Sequence, residues 1–149
     1  MIKQQGFTLV EIMVAVSIVA ILATIAIITY SSVLNSTRNQ QRARDLFSIQ
    51  QALELFRHDK YTYPLSPVAL GNLSPNYLPS LPVDPVSGKP YQYAPGDDCT
   101  YTRTSQTCVS YILCAAREGG ADSGMPSGCQ NLMCDGTTTG SCGMGVSSP

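Results

Sequence analysis

The chain has 149 residues, enough for one modest domain, and a formal net charge of −1. Without a basic patch, we expect no nucleic-acid binding through phosphate neutralisation. One histidine, with no Gly-x-Ser-x-Gly motif, phosphate-binding loop or dense acid cluster, leaves no nucleophile–base pair. We therefore expect neither an enzyme nor a bound cofactor.

A long apolar segment covers residues 7–30, and no charged residue occurs from Ile12 to Thr37. As a helix, the segment would be about 36 Å long, enough to cross a hydrocarbon core of about 30 Å. A cleaved secretory signal has a shorter apolar run and ends in small residues, whereas here the small residue, Gly6, comes first. So small a chain could hardly enclose the segment as a core helix. The segment is therefore predicted to insert into a membrane.

Glu11 is an acid near the start of this segment. An ionisable side chain inside a membrane is costly, and its presence favours a function with a specific partner. The alternative is a local role, since an acid in the first turn interacts favourably with the helix dipole. The dipole does not explain the polar leader "MIKQQG" that precedes the segment.

The stretch "GFTLVEIMVAVSIVAILA" resembles the N-terminal signal of type IV pilins and of the pseudopilins of type II secretion. The resemblance implies that a prepilin peptidase removes leader residues 1–6 by cutting between Gly6 and Phe7, and methylates the new N-terminus of Phe7. It also implies a filament in which Glu11 faces the Phe7 amine of a neighbouring subunit. The partners implied are other copies and other pilins or pseudopilins, the peptidase, an inner-membrane assembly platform with its ATPase, and membrane lipid. Many type IV pilins have a proline within the apolar run; here none precedes Pro64, so we expect a straighter helix.

The signals for membrane orientation disagree. Arg38, Arg42 and Arg44 follow the segment and only Lys3 precedes it, so the positive-inside rule places the C-terminal side in the cytoplasm. The leader and the clustered cysteines favour the opposite orientation. We predict a cytoplasmic N-terminus and an extracytoplasmic head on a single-pass anchor in the cytoplasmic membrane, followed by a filament at the cell surface or in the periplasm.

Residues 31–58 are predicted to extend the helix, because they lack Pro and Gly and carry an amphipathic stripe of Leu46, Ile49, Leu53 and Phe56. One helix from about residue 7 to residue 57 is expected to pack this stripe on a C-terminal sheet, with "STRNQQRARD" solvated. His58 is expected at the helix C-terminus, where a cationic side chain is favourable.

Residues 59–149 are predicted to form a globular head. A Pro-rich loop comes first, and we expect its apolar side chains to pack on the helix: Leu70, Leu73, Tyr77, Leu78 and Leu81. Its end, "LPVDPVSGKPYQY", is similar to the stretch before the first strand of major pseudopilins, with a turn at Asp84-Pro85 and a permissive Gly88. Strands are predicted at about 90–94, 98–103 and 107–115.

Acids in the head could bind calcium, as in major pseudopilins, but their spacing fits no calcium loop. We interpret them as solvated turn residues and predict no metal site: Asp97, Asp98, Asp122 and Asp135.

Six cysteines lie in the last third of the chain: Cys99, Cys108, Cys114, Cys129, Cys134 and Cys142. An even number in a Gly-rich region predicts disulfides formed in an oxidising compartment, with 15 connectivities open. Free structural thiols are a less favoured alternative. A metal site is less favoured still, because no Cys-x-x-Cys pair occurs. We predict the pairs Cys99–Cys108, Cys129–Cys134 and Cys114–Cys142, with the tail after Cys134 ordered only by disulfides.

The sequence thus predicts an α+β pilin fold, a long N-terminal helix packed on a small antiparallel sheet with a disulfide-rich tail. The favoured function is a structural subunit of a type IV pilus-like filament, and the first alternative is a pseudopilin of a type II secretion system. An alternative of another class is an uncleaved, single-pass membrane-anchored binding module.

Overall fold

The computed structural model describes residues 7–101, 106–120, 123–132, 134 and 142–148. The long helix α1 spans Leu9–Lys60 and confirms the predicted helix. By its internal contacts the chain divides into two units, residues 1–36 and residues 37–149. We call them the N-terminal unit and the head; from here on, the head includes the part of α1 that begins at residue 37.

The N-terminal unit exposes its apolar side chains. Every described large apolar side chain between Phe7 and Tyr30 is more than half exposed. The helix is long and apolar enough to cross a membrane, judged by length and composition. Exposure of such a surface requires an apolar environment or a partner.

The head packs helix α1 against an antiparallel sheet. Strands β1 (Gln92–Pro95), β4 (Tyr111–Ala115) and β5 (Met144–Ser147) form this sheet in the order β1-β4-β5. Strands β2 (Thr100–Tyr101) and β3 (Gln106–Thr107) form a separate antiparallel pair. Two short 3₁₀ helices span Val68–Leu73 and Ser127–Asn131.

The core of the head confirms the predicted stripe on α1. Leu46, Ile49 and Leu53 are at most 2% exposed, and Phe56 packs against the same cluster. Leu70 and Leu73 of the first 3₁₀ helix are buried in this core, so the Pro-rich loop packs on the helix as expected.

Buried tyrosines complete the core, and the hydroxyls of Tyr91 and Tyr93 are satisfied at its border. Tyr63 lies between helix and sheet, with its ring centroid 4.7 Å from that of Tyr111. Tyr91 donates to Asp45 of α1 at 2.7 Å, and Tyr93 donates to the Pro64 carbonyl at 2.7 Å. The polar tips of these two tyrosines thus find partners, whereas the buried Tyr111 hydroxyl has none within the described residues.

The strands differ from the prediction in the C-terminal half. The region 107–115 is interrupted between β3 and β4, and only Thr100–Tyr101 is strand within the described part of 98–103. The tail was expected to be ordered by disulfides alone, which is wrong, because residues 144–147 pair with β4 as strand β5.

The six cysteines form three disulfides, so the predicted framework is confirmed, with the pairs Cys99–Cys108, Cys114–Cys129 and Cys134–Cys142. The first pair agrees with the prediction, because the β2–β3 register places its residues next to each other. The predicted pairs Cys129–Cys134 and Cys114–Cys142 are wrong. Cys114 lies on strand β4, which contacts the second 3₁₀ helix and so lies beside Cys129. On the β5 side of the sheet, the residue opposite Cys114 is Gly145 and not a cysteine.

Candidate functional site

Helix α1 begins with reciprocal hydrogen bonds between Thr8 and Glu11. The Thr8 backbone N–H and the Thr8 hydroxyl donate to Glu11 Oε2 at 2.9 Å and 2.7 Å. The Glu11 backbone N–H donates in return to Thr8 Oγ1 at 3.3 Å. This is a capping box, in which an N-cap Thr and a Glu three residues later satisfy backbone donors at the helix start. The Thr-x-x-Glu spacing is the sequence signature of this motif and could have predicted it.

Glu11 therefore has a local role that goes beyond the helix dipole. Within the described residues, both bonds to its carboxylate go to Oε2, and Oε1 accepts none. Phe7, one residue before the cap, is 84% exposed. Gly6 lies outside the described residues, so the cut between Gly6 and Phe7 stays a prediction. The site at the N-terminal end thus consists of an exposed Phe7 and a carboxylate whose Oε1 accepts no hydrogen bond from the described residues.

A second polar cluster lies in the head, and we call its five residues the Arg42 cluster: Arg38, Asn39, Arg42, Asp84 and Glu118. Arg42 donates to Asp84 through Nε at 2.6 Å and through Nη2 at 3.4 Å, and its Nη2 lies 3.5 Å from Glu118 Oε1. Arg38 pairs with the same Glu118 carboxylate at 3.4 Å. The Arg42 side chain is 2% exposed, so the prediction that "STRNQQRARD" is solvated is wrong for this residue.

Asn39 and the turn after Asp84 hold the cluster in place. The Asn39 side chain donates to the Glu118 carbonyl at 2.8 Å and accepts from its N–H at 3.1 Å. Asp84 Oδ1 accepts from the backbone N–H groups of Val86 and Ser87, as expected for a turn that starts at Asp84. Gly88 has φ +67°, the left-handed conformation that glycine adopts without strain.

Asp84 is strongly stabilised in its charged form. Burial disfavours the carboxylate, but hydrogen bonds from Arg42, Ser87 and Val86 outweigh burial and lower the pKa of Asp84 to about 2. The cluster therefore fixes α1 to two distant chain segments by charge. It orients the head elements and offers no reactive group.

The remaining candidates that the structure describes do not converge on a metal site. Asp98 accepts a hydrogen bond from Ser110 at 2.6 Å, and Asp122 and Asp135 lie outside the described residues. In the described part of the chain, no group of three or more His, Cys, Asp or Glu could hold a metal ion. Calcium takes six to eight oxygen ligands, and the described acids do not provide such a set. His58 lies in the last turn of α1, as predicted, beside Asp59.

Similar proteins point to one family. A family model described as the prokaryotic N-terminal methylation motif matches residues 1–27. The type II secretion system core protein G of Pseudomonas aeruginosa is 36% identical over 136 residues, which cover 80% of this chain and 90% of that protein. The chain belongs to the core protein G family of type II secretion pseudopilins. The Vibrio cholerae protein of the same name is 30% identical over 144 residues, covering 87% of this chain and 94% of that protein. No solved structure matches significantly.

Membership of the core protein G family confirms the resemblance stated from the sequence. The methylation-motif match includes Gly6, Phe7 and Glu11. Cleavage, methylation and assembly at these residues stay predictions. The core protein G relatives support the pseudopilin alternative better than the surface pilus that the sequence analysis placed first.

Proposed function

We propose that this chain is a pseudopilin subunit that assembles with other pseudopilins into the filament of a type II secretion system. The observation that carries the proposal is its similarity to core protein G along most of the length of that protein. The exposed apolar surface of the N-terminal unit adds support, because it fits a membrane before assembly and neighbouring helices afterwards. The chain acts by assembly, and we expect no catalytic activity.

Assembly would use both parts of the site at the start of α1, the amine of Phe7 and the carboxylate of Glu11. A peptidase cuts between Gly6 and Phe7 and methylates the new amine, which stays positively charged. Glu11 of one subunit then faces the Phe7 ammonium of its neighbour. Glu11 Oε1 can accept this bond while Oε2 stays with Thr8. Two unit charges about 4 Å apart attract by about 4 kcal/mol at an effective dielectric constant of about 20, before desolvation is subtracted.

The head would lie outside the cytoplasm. Three disulfides favour an oxidising compartment. Two of the arginines that argue for the opposite orientation, Arg38 and Arg42, are paired with Glu118 and Asp84 in the folded head. Their charges are thus balanced inside the head.

Substitution of Glu11 by Gln tests the assembly role. Gln can also complete a capping box, so the helix start should persist while the negative charge is lost. The Phe7 ammonium of the neighbour then lacks its counter-charge, which should cost several kcal/mol per docking step and make filaments rare. The measurement is electron microscopy of sheared filaments, beside an intact mass from the same cells.

The mass and the filament count separate a failure of leader processing from a failure of assembly. The mass should show loss of residues 1–6 and gain of one methyl group in both the wild type and Glu11→Gln. A chain that keeps its leader would support the uncleaved binding module instead. Ser17→Ala is the matched control, because the Ser17 hydroxyl donates to the Val14 carbonyl of its own helix, its single bond among the described residues. Normal filaments from Glu11→Gln would refute the pairing.

Deletion of the gene in its own organism distinguishes a secretion filament from a surface pilus. We expect export of extracellular enzymes to fail and surface pili to remain. Intact export with loss of pili would favour the pilus instead.

A further inference from the structure

The three disulfides join the six cysteines strictly in chain order, first to second, third to fourth and fifth to sixth. The paired residues are 9, 15 and 8 positions apart. All six cysteines are paired in the structure. This pattern is one of the 15 that six cysteines allow.

Loop length alone does not select this pattern. Cys129 is 5 positions from Cys134 but 15 from its actual partner, Cys114. With closure probability falling as the 3/2 power of loop length, Cys134 would capture Cys129 about five times more readily if all thiols were free. Cys114 has a different advantage, because it precedes Cys129 in the chain. When a chain emerges from a membrane starting at its N-terminal anchor, Cys129 meets Cys114 before Cys134 arrives.

The folded head buries at least one cysteine of each bridge completely. Cys108, Cys114, Cys129 and Cys142 are 0% exposed. Strand β5 lies directly on the second bridge, since a Cβ atom on Gly145 would be 2.4 Å from Cys129 Sγ. A protein oxidant therefore cannot reach Cys129 once β5 has docked.

We propose that the head is the substrate of an exported dithiol–disulfide oxidant, which closes the three bridges in chain order before β5 docks and without a disulfide isomerase. For each bridge, the upstream thiolate attacks the oxidant disulfide, forms a mixed disulfide and releases one oxidant thiolate. The downstream thiolate then attacks the chain sulfur and releases the oxidant as a dithiol. Two electrons and two protons pass from the chain to the oxidant per bridge.

The proposal rests on export of the head, as given under the proposed function. The test uses the full chain, expressed with its export signal in a parent bacterial strain, a strain lacking the exported oxidant and a strain lacking the exported isomerase. Thiols are trapped by alkylation at set times, and the bridges are identified by non-reducing peptide mapping.

Without the oxidant, bridge formation should slow by orders of magnitude, since its time ranges from seconds to hours depending on the oxidant. Without the isomerase, the three native pairs should form as in the parent strain. Unchanged bridge formation in the first strain, or Cys129–Cys134 and other non-native pairs in the second, would overturn the proposal.

A delayed oxidation tests the order directly. A pulse of dithiothreitol during synthesis, followed by its removal, presents all six thiols at once. Cys129–Cys134 should then appear, and it should persist in the strain lacking the isomerase. The variant Cys134→Ser/Cys142→Ser removes the competing thiol and should restore Cys114–Cys129 under the same pulse. Native pairs alone after the pulse would show that the fold, not the order, sets the pairing.

The outcomes also separate this proposal from the proposed function. Six free thiols in the parent strain would refute export of the head itself. Mispaired disulfides would refute only the chain-order oxidation, because they still require an oxidising compartment.

Discussion

Arg42 and Asp84 form a buried ion pair between residues 42 positions apart in the chain. Removal of one partner of such a pair leaves an uncompensated charge in the protein interior. Arg42 also contacts Glu118, so its loss would leave two carboxylates without this cation. The Arg42 guanidinium therefore balances two carboxylates that come from distant parts of the chain.

Arg42→Met should lower the free energy of unfolding of the head by about 3–5 kcal/mol. The control is Arg44→Met, two positions away on the exposed surface of the same helix, which should change stability by less than about 0.5 kcal/mol. Urea unfolding of the full chain in detergent, followed by tyrosine circular dichroism, measures both. Equal stability of the two variants would contradict a structural role for the pair.

The same pair predicts an acid-dependent stability. The pKa of Asp84 is lowered from 3.8 to about 2 on folding, so its contribution is fully present above 3.8 and is lost as pH falls toward 2. The stability difference between the wild type and Asp84→Asn should be constant from neutral pH to about pH 4 and should shrink between pH 4 and 2. Urea unfolding of both proteins at several pH values tests this. The other acids titrate in both proteins, so their contributions cancel in the difference. A difference that does not change with pH would be contrary to expectation.

At the scale of elements, helix α1 has one buried and one exposed face in the head. Leu53 is 0% exposed and Leu55 is 57% exposed. Leu53→Ala should therefore lower the free energy of unfolding by about 2–5 kcal/mol through lost burial and a cavity. Leu55→Ala, the same change two residues on, should stay within about 0.5 kcal/mol. Similar losses in the two variants, measured by urea unfolding, would mean that the helix face is assigned wrongly.

The periodicity of Leu46, Ile49 and Leu53 made the buried face of α1 predictable, because it is a local signal. The long apolar segment and the N-terminal motif were also evident from contiguous residues. The burial of Arg42 was not predictable in this way, since it depends on where residues 84 and 118 come to lie. Strand β5 likewise depends on pairing with β4. The pairs of Cys114 and Cys134 were predicted wrongly because the sequence does not show which segments lie beside β4.

At the scale of the whole molecule, the two units are stabilised in different ways. The N-terminal unit is a helix with its apolar side chains exposed, so its environment determines its stability. The head has its own core and a second buried cluster made largely of four cysteines: Cys114, Cys129, Cys134 and Cys142. The apolar residues packed against these cysteines, Ile112, Ala116, Met125 and Leu132, are only partly buried, so the order of this cluster depends on the bridges.

Reduction of the three disulfides should therefore unfold the head and spare the N-terminal helix. Each bridge closes a short loop and is worth about 2–4 kcal/mol, so the three together approach the net stability of a typical domain, about 5–15 kcal/mol. In detergent with reductant, the near-ultraviolet circular dichroism of the tyrosines should collapse, while helical far-ultraviolet signal from residues 9–36 should remain. Cys99→Ser/Cys108→Ser removes only the bridge of the β2–β3 pair and should leave the head folded. A head that keeps its tyrosine signal with all six thiols alkylated would show that its core is sufficient without the bridges.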